Sequence, residues 1–308
     1  MRKYLLLIVI VSLVSITISQ TGLSSNSSTG TTSAAFLKSQ CGVRANAMGN
    51  AYIAVAQDND AIYFNPAGLA FSNAFEVSSM YSSQLLGISD TNASIILPYS
   101  GSALAFALDY QNTGGIEETT VAQPSGTGQT LNFMNYTLIS SYAKQLTPGI
   151  SFGLNGKLLN ESICGSDLQG YAADFGILWR LSDTYTCGAV LKNIAGSFGK
   201  SPLPANYGLG LACNYKPVLL AIDVNMPNDN NTQINIGAEY NFNDTLFGRV
   251  GINTGSEENS IGNISAGIGI KKEDFDFNYA YVPYGDLGAT HRFSINLMPF
   301  GELTTKLE

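Results

Sequence analysis

The residue types that perform covalent catalysis are scarce in this chain of 308 residues. His291 is the only histidine, so acid–base catalysis by histidine would depend on one residue of a predicted strand. Gly199-Lys200-Ser201 matches the end of a phosphate-binding loop, but Ile194 occupies the position of the first glycine of that motif. Neither an HExxH nor a GxSxG motif occurs. We therefore predict that the chain is not an enzyme.

Single charged residues within segments of alternating hydrophobicity form a second group of candidates. They share their phase with Gly, Ala and Asn, whereas large apolar residues occupy the other phase. Because successive side chains of a strand point to opposite faces, these charges are expected on a polar, inward face. Internal salt bridges are the hypothesis we favour for them, and the lining of a passage is the alternative. The candidates are Asp109, Asp174, Arg180, Asp223, Glu239, Arg249 and Asp276.

Metal, thiol and nucleic-acid chemistry have weaker support in the sequence. Asp58-Asn59-Asp60 offers carboxylates to a calcium ion, but one such triplet is more often a solvated turn. The four cysteines are scattered without CxxC or zinc-like spacing, so we assign them no role. The net charge of −8 argues against nucleic acid as a partner, since phosphate binding requires clustered Lys and Arg. We expect no metal and no cofactor.

The first residues predict export. Arg2 and Lys3 precede an apolar stretch from Leu5 to Ser19, which is shorter than the ~20 residues that a spanning helix needs. Thr17 and Ser19 are small residues with the spacing that a signal peptidase requires. Residues 1–19 are therefore interpreted as a signal peptide that is cleaved near Ser19/Gln20.

The composition after this segment favours a protein with lipid on one side and water on the other. Charged residues make up 12% of the chain, against about 25% in typical globular domains. Hydrophobic residues nevertheless account for 45%. From residue 73 onward, large apolar residues alternate with small or polar ones, as in Ala103–Tyr110 and Phe275–Tyr279. This period of two indicates strands with one apolar and one polar face, the pattern of a transmembrane β-barrel.

The alternating segments predict an all-β, antiparallel barrel of about fourteen strands over residues 73–300. An even number in this range is typical of bacterial outer-membrane barrels. Longer junctions, such as Thr113 to Leu131, Ala195 to Pro204 and Gly255 to Asn259, alternate with tight turns such as Thr147-Pro148 and Lys216-Pro217. Long loops at one end and short periplasmic turns at the other are the arrangement of that class. Localisation in the bacterial outer membrane, in contact with its lipid, is therefore predicted.

The remaining segments divide the chain further. Residues 20–40 are rich in Ser and Thr and predict a flexible leader. Residues 41–72 are rich in small side chains and are interpreted as a hatch inside the lumen, with a short helix from Ala45 to Ala56 that Gly49 interrupts. Residues 301–308 form a polar tail. The hatch residues that we single out are Arg44, Asn46, Gly49, Asn65, Pro66, Ala67 and Gly68.

Two stretches carry a resemblance to a known family. Residues 42–56, which run into 60–69, and residues 284–293 near the other end resemble the PorV/PorQ family of outer-membrane proteins. That family lies within the wider FadL-like (OMPP1/FadL/TodX) superfamily. The resemblance implies a fourteen-stranded barrel with an N-terminal plug, which in FadL-like proteins moves while a hydrophobic ligand passes.

Two functions follow from this resemblance as hypotheses, and a mainly structural role in the outer membrane is a third. The first, which we favour at this stage, is a non-enzymatic accessory role in secretion or surface attachment, with secretion-system or cargo proteins docking on the outer loops. The alternative is a channel that carries hydrophobic small molecules, such as long-chain fatty acids, across the outer membrane of a Gram-negative cell. The channel requires an apolar pocket beside the hatch and a lateral gap in the wall.

Overall fold

The structure is a computed structural model that describes residues 28–39, 41–84, 87–254, 263–285 and 288–300. The predicted signal peptide (residues 1–19), the junction from Gly255 to Asn259 and the polar tail (residues 301–308) lie outside the described residues. Strands account for most of the described residues. They are β1 (Glu76–Ser83), β2 (Ser89–Tyr99), β3 (Ser102–Asn112), β4 (Ile116–Glu117), β5 (Thr130–Leu131), β6 (Phe133–Thr147), β7 (Ile150–Ile163), β8 (Ser166–Arg180), β9 (Tyr185–Phe198), β10 (Asn206–Tyr215), β11 (Val218–Pro227), β12 (Gln233–Asn241), β13 (Leu246–Asn253), β14 (Asn263–Lys272), β15 (Phe275–Pro283) and β16 (Ala289–Leu297).

Fourteen of these strands form a closed antiparallel barrel in the described part of the chain. Each strand pairs with its neighbours in sequence, β3 with β6 across the small β4–β5 hairpin, and β1 closes the ring by pairing with β16. Closure leaves no sheet edge with unpaired backbone groups, which is the condition for a sheet to span a bilayer. The fold class and strand number predicted from the alternation are confirmed.

The two faces of the wall differ as the alternation requires. On β3, Ala103, Ala105 and Ala107 are buried, whereas Leu104, Phe106 and Leu108 are exposed. Large apolar side chains thus form the outer surface, and small or polar side chains point into the barrel. Such an exterior suits hydrocarbon, where an uncharged apolar surface costs nothing in desolvation. Among the described residues, no helix is long and apolar enough to cross a membrane.

The two ends of the barrel differ in their connections. Turns such as Tyr99–Ser102 and Lys216-Pro217 are tight, while most described junctions at the opposite end are longer, with the two-residue turn Cys164-Gly165 between β7 and β8 as an exception. We call these the short-turn end and the long-loop end. The long-loop end carries the β4–β5 hairpin within the junction from Thr113 to Leu131. Strand β9 continues to Phe198, so the loop predicted to begin at Ala195 begins at Gly199 in the structure, after a bulge described below.

Short helices precede the first strand, and the helix predicted from Ala45 to Ala56 does not resume after its interruption at Gly49. They are α1 (Val43–Ala47), α2 (Ala61–Phe64) and 3₁₀ helices at Ala35–Lys38 and Pro66–Phe71. Helix α1 ends early because Gly49 and Asn50 both adopt positive φ, 63° and 65°, a conformation that Gly and Asn tolerate better than other residues. Asn65 is the N-cap of the second 3₁₀ helix, where its side chain accepts from the backbone nitrogen of Ala67.

Residues 41–72 pack against inward-facing residues of the wall. Helix α1 contacts β13, β14, β15 and β16, and the second 3₁₀ helix contacts β2, β3, β6, β7 and β8. Met48, Tyr52, Ile62 and Leu69 in this segment are fully buried. We call residues 41–72 the N-terminal segment.

Residues 28–39 also differ from expectation. Composition predicts a flexible leader, yet this stretch includes the 3₁₀ helix Ala35–Lys38 and packs against Phe198 and Leu203. Four consecutive residues, Ala34 to Leu37, supply the apolar surface for that packing. The polar residues around them hydrogen-bond with the loops of the long-loop end.

Candidate functional site

Charged side chains join the N-terminal segment to β12 and β13. The Arg44 guanidinium donates to both carboxylate oxygens of Glu239, at 2.8 and 2.7 Å, and to Asp58 at 3.0 Å. Arg249 donates to the same Glu239 carboxylate at 2.7 Å and to Asn278 at 2.6 Å. A buried carboxylate between two guanidinium groups is compensated in charge and in hydrogen bonds, which burial of an ion requires.

Two further carboxylates of the wall bind the segment by different donors. Asp223 on β11 is fully buried and accepts from the backbone nitrogens of Tyr52 (2.6 Å) and Ile53 (2.9 Å). Asp109 on β3 accepts from the Tyr63 hydroxyl at 2.8 Å and contacts Asn92. These contacts use wall carboxylates as acceptors for the otherwise unpaired donors of the segment.

Polar and small residues of the segment complete its attachment. The Asn65 amide donates to the carbonyl oxygens of Ile53 (3.0 Å) and Ile177 (3.1 Å), and its own oxygen caps Ala67 at 3.2 Å. The backbone nitrogen of Gly49 donates to Ser265 on β14 at 3.0 Å. A side chain at Gly68 would collide with the carbonyl of Ala56, 1.7 Å from the position of its Cβ. Only glycine permits that approach.

The contacts of the other predicted residues differ in kind. Ala67, which follows Pro66, accepts a hydrogen bond at its carbonyl oxygen from the Ser151 hydroxyl of β7 at 2.7 Å. Asn46 donates to the carbonyl of Gly42 within its own turn. Arg180 donates to Gln57 at 2.5 Å and lies 3.6 Å from the ring centre of Phe71. Asp276, by contrast, contacts only wall side chains in the described hydrogen bonds, accepting from Asn296 at 3.3 Å.

Asp174 occupies a place in the wall itself. Strands β8 and β9 lose register between Ala173 and Phe175, where β9 carries extra residues. Asn193 lies in this bulge with φ 55°, and its backbone nitrogen donates to Asp174 at 2.8 Å. Lys157 from β7 forms an ion pair with Asp174 at 2.7 Å. The bulge therefore interrupts the backbone ladder, and a side chain accepts the displaced N–H.

A cavity lies beside this bulge, between the wall and the N-terminal residues, toward the long-loop end. It is lined by Phe36, Leu37, Ser39, Cys41, Tyr63, Asp90, Thr91, Asp109, Tyr110, Gln111, Asn135, Thr137, Ile139, Lys157, Lys192 and Asn193. Its volume is about 70 Å³, smaller than the engineered cavity of about 150 Å³ that binds benzene. In this conformation the cavity is therefore too small for an aromatic ligand.

The lining of the cavity combines apolar and charged groups. Phe36, Leu37 and Ile139 contribute apolar surface, while Lys157 and Lys192 contribute ammonium groups. Lys157 is paired with Asp174. No carboxylate in the described part of the chain lies within ion-pair distance of Lys192, whose ammonium is 4.9 Å from the Phe64 ring centre. The pocket differs from the continuous apolar pocket that the channel hypothesis anticipates.

Sequence reasoning missed most residues of this cavity. Lys157 and Lys192 have no flanking motif, although Lys157 shares its phase with the inward-facing Gly153 and Asn155 of β7. Asn193 could not be identified because a bulge adds residues without a compositional mark. Phe36 and Leu37 lie in a polar stretch, and their apolar side chains are the only feature of the sequence there that indicates packing.

These features define an outer-membrane type of β-barrel with an internal N-terminal segment. No known family profile matches the sequence, and no curated protein matches it. The PorV/PorQ resemblance of the sequence therefore stays a prediction.

Solved structures share the fold. The chain superposes on the toluene transporter TodX of Pseudomonas putida with a TM-score of 0.63 and 15% identity, covering 83% of this chain and 96% of that one. The toluene transporter TbuX of Ralstonia pickettii gives 0.59 and 13%, with 83% and 97% covered. A FadL homologue of Pseudomonas aeruginosa gives 0.54 and 11%, with the same coverage. The fold is that of the FadL/TodX outer-membrane channels.

Proposed function

We propose that the protein is a channel for hydrophobic small molecules in the bacterial outer membrane, with the N-terminal segment as its hatch. The observation that carries this proposal is the cavity between that segment and the wall, next to the β8–β9 bulge, in a fold shared with the toluene transporters. We favour the channel hypothesis over an accessory role in secretion because the similar solved structures include transporters of hydrophobic molecules.

The contacts of the N-terminal segment support a role as a hatch. A fourteen-stranded barrel encloses more space than its own inward side chains fill, so an unoccluded barrel would leak. Glu239, Asp223 and Asp109 each accept hydrogen bonds from the segment. Most inward charges thus act as internal attachments rather than as the lining of an open passage.

The bulge and the cavity support a route for the ligand. The size of the cavity means that a ligand enters only when the N-terminal residues move. The bulge borders the cavity through Lys192 and Asn193, and its backbone ladder is interrupted. Opening sideways into lipid at this bulge would therefore break fewer backbone bonds than opening a regular strand pair.

An accessory role in protein secretion is the second candidate. The β4–β5 hairpin at the long-loop end favours it, since Ile116 and Val121 are exposed there at the position predicted for cargo docking. Under this hypothesis a partner protein covers those side chains, and the interior remains closed.

Deletion of the gene separates the two candidates. Uptake of radiolabelled toluene and dodecanoate by intact cells is measured together with a profile of surface proteins, and a copy lacking residues 116–131 serves as the matched variant. The channel predicts lost uptake, an unchanged surface profile and rescue by the loop-deleted copy. Unchanged uptake with a depleted surface profile would reject the channel in favour of the accessory role.

A further inference from the structure

Residues 28–39 cross the long-loop end of the barrel, above the cavity. We call this stretch the outer strap. At one side its backbone joins the β9–β10 loop, where Ser33 N donates to the Pro202 carbonyl at 2.9 Å. At the other side Ser39 donates to Asp90 on β2 at 3.0 Å, and Gln84 donates to Ser39 at 3.1 Å. The outer strap therefore has attachments on opposite parts of the wall.

Asp229 in the β11–β12 loop is the main polar anchor of the outer strap. Thr32 and Lys38 both donate to its Oδ2 atom. The Asp229 side chain is 2% exposed and that of Lys38 is 44% exposed. Burial alone would raise the pKa of Asp229, but the hydrogen bonds from Lys38 and Thr32 hold it below its usual range. The carboxylate is thus ionised, and the anchor intact, at neutral pH.

An apolar contact forms the second anchor. The rings of Phe36 and Phe198 meet edge to face, with centroids 5.7 Å apart and an interplanar angle of 76°. Ala34 is buried in the same cluster, with Leu159 and Leu203. This contact area is small, because only four consecutive residues of the outer strap are apolar. Its detachment exposes far less apolar surface than detachment of the N-terminal segment would.

The underside of the outer strap faces the cavity. Phe36, Leu37 and Ser39 line it from the long-loop end, and Cys41 and Tyr63 line it from the N-terminal segment. Phe36 and Leu37 are half-buried and supply the apolar surface of this side of the cavity.

We infer that the outer strap is a lid over the cavity, which opens by release of the Asp229 anchor and withdrawal of Phe36 and Leu37. The entry of a hydrophobic molecule beneath the outer strap depends on the proposed function. The lid itself rests on the contacts above. The N-terminal residues thus comprise a weakly attached outer strap, residues 28–39, and a more firmly attached N-terminal segment, residues 41–72.

A reversible cross-link tests whether the outer strap must move. In a background with Cys41, Cys164, Cys187 and Cys213 replaced by Ala, the pair Thr32→Cys and Asp229→Cys brings two thiols to a contact that is now a hydrogen bond. Copper phenanthroline oxidises the thiols to a disulfide, and dithiothreitol reduces it. Toluene and dodecanoate uptake by intact cells is compared between the two states, with the cysteine-free parent as the control for both reagents.

The outcomes separate the lid from the channel. Uptake that falls to background on oxidation and returns on reduction supports the lid. Equal uptake in both states overturns the lid and leaves the channel standing. Absence of uptake even in the parent overturns the channel, and the lid is then decided by the following measurement.

Labelling of Cys41 gives a readout that needs no transport. With the other three cysteines replaced by Ala, Cys41 is a buried thiol beneath the outer strap. Asp229→Ala is expected to accelerate its reaction with a small, membrane-impermeant thiosulfonate added to intact cells. Asp167→Asn, an exposed carboxylate on β8 at the same end, serves as the control. Equal labelling rates in the two variants would overturn the lid.

Discussion

The Asp174 carboxylate accepts a hydrogen bond from the backbone nitrogen of Asn193 at 2.8 Å, at the point where β8 and β9 lose register. A wall that excludes lipid must satisfy each backbone donor, and here a side chain does so in place of a carbonyl. Lys157 at 2.7 Å compensates the charge. The barrel thus contains a local interruption that is stabilised by one acid.

The first prediction concerns this acid. Asp174→Ala leaves the Asn193 N–H without its acceptor and the Lys157 ammonium without its ion pair. Removing one partner of a buried ion pair costs about 3–5 kcal/mol, so we expect a lower urea midpoint for unfolding in detergent micelles. Asp167→Asn, exposed on the same strand, should leave the midpoint unchanged. A midpoint equal to that of the parent for Asp174→Ala would show that the bulge does not depend on the carboxylate.

The second prediction uses two glycines of β7. A Cβ at Gly153 would lie 2.3 Å from the backbone of Pro66 and Ala67, whereas a Cβ at Gly156 meets nothing within 4 Å. Gly153→Ala should displace the N-terminal segment at a cost of about 1–3 kcal/mol, as overpacking usually does. Limited proteolysis of the purified barrel should then cut within residues 41–72. Gly156→Ala is the control, and equal protection of both variants would contradict the close approach.

The third prediction tests the two faces of β3. Phe106 is on the outer surface, and Asp109 contacts Tyr63 in the interior. Phe106→Asp should impair assembly into membranes, since a charge facing lipid is unfavourable; Arg or Lys costs about 2–4 kcal/mol at the bilayer midplane, and Asp less. Asp109→Asn keeps an acceptor for the Tyr63 hydroxyl and should assemble normally. The amount of heat-modifiable barrel in membranes measures both, and equal loss would contradict the assignment of faces.

The fourth prediction concerns closure of the lumen. Arg44→Ala removes the bidentate contact with Glu239 and the contact with Asp58, while Arg249 continues to neutralise Glu239. Each hydrogen bond to a charged group contributes about 1.5–3 kcal/mol, so the N-terminal segment should detach more often. Planar-bilayer recordings should show more frequent opening, and deletion of residues 41–71 should give a permanently raised conductance. Lys216→Ala, on an exposed turn, should match the parent; unchanged conductance in the deletion would reject the hatch.

The fifth prediction concerns ligand choice and depends on the proposed channel. Lys192 presents an ammonium to the cavity and has no ion-pair partner among the described residues. Lys192→Met should weaken dodecanoate uptake, by about tenfold for a loss of 1.4 kcal/mol, and leave toluene uptake unchanged. Lys200→Met in the outer loop is the control. An equal effect on both probes would mean that the ammonium does not select the carboxylate.

The strands could be predicted because apolar residues that face lipid alternate with small or polar residues that face the interior. The apolar phase of β3 and the inward position of Asp223 both follow from that period. The partners of the inward charges could not be predicted. Arg44 and Glu239 are 195 residues apart, and pairing across a barrel depends on register and tilt, which a single sequence does not specify.

Local irregularities account for the remaining differences. The positive φ of Asn193 shifts one strand without altering its composition. The predicted helix from Ala45 stops at Ala47 because two consecutive residues adopt left-handed conformations. The composition of residues 20–40 predicts a flexible leader because Phe36 and Leu37 are only two large apolar residues in a polar stretch. They are nevertheless enough to hold the outer strap against Phe198 and Leu203.

Pairing between β1 and β16 joins the two extremes of the barrel chain, so the ring is complete only when its last strand has been made. Passing the N-terminal segment into a finished ring would mean threading more than thirty residues through the lumen from one end. Placing it while the ring is still open avoids that obstacle. We therefore expect that residues 41–72 take their place between the strands before β1 and β16 pair.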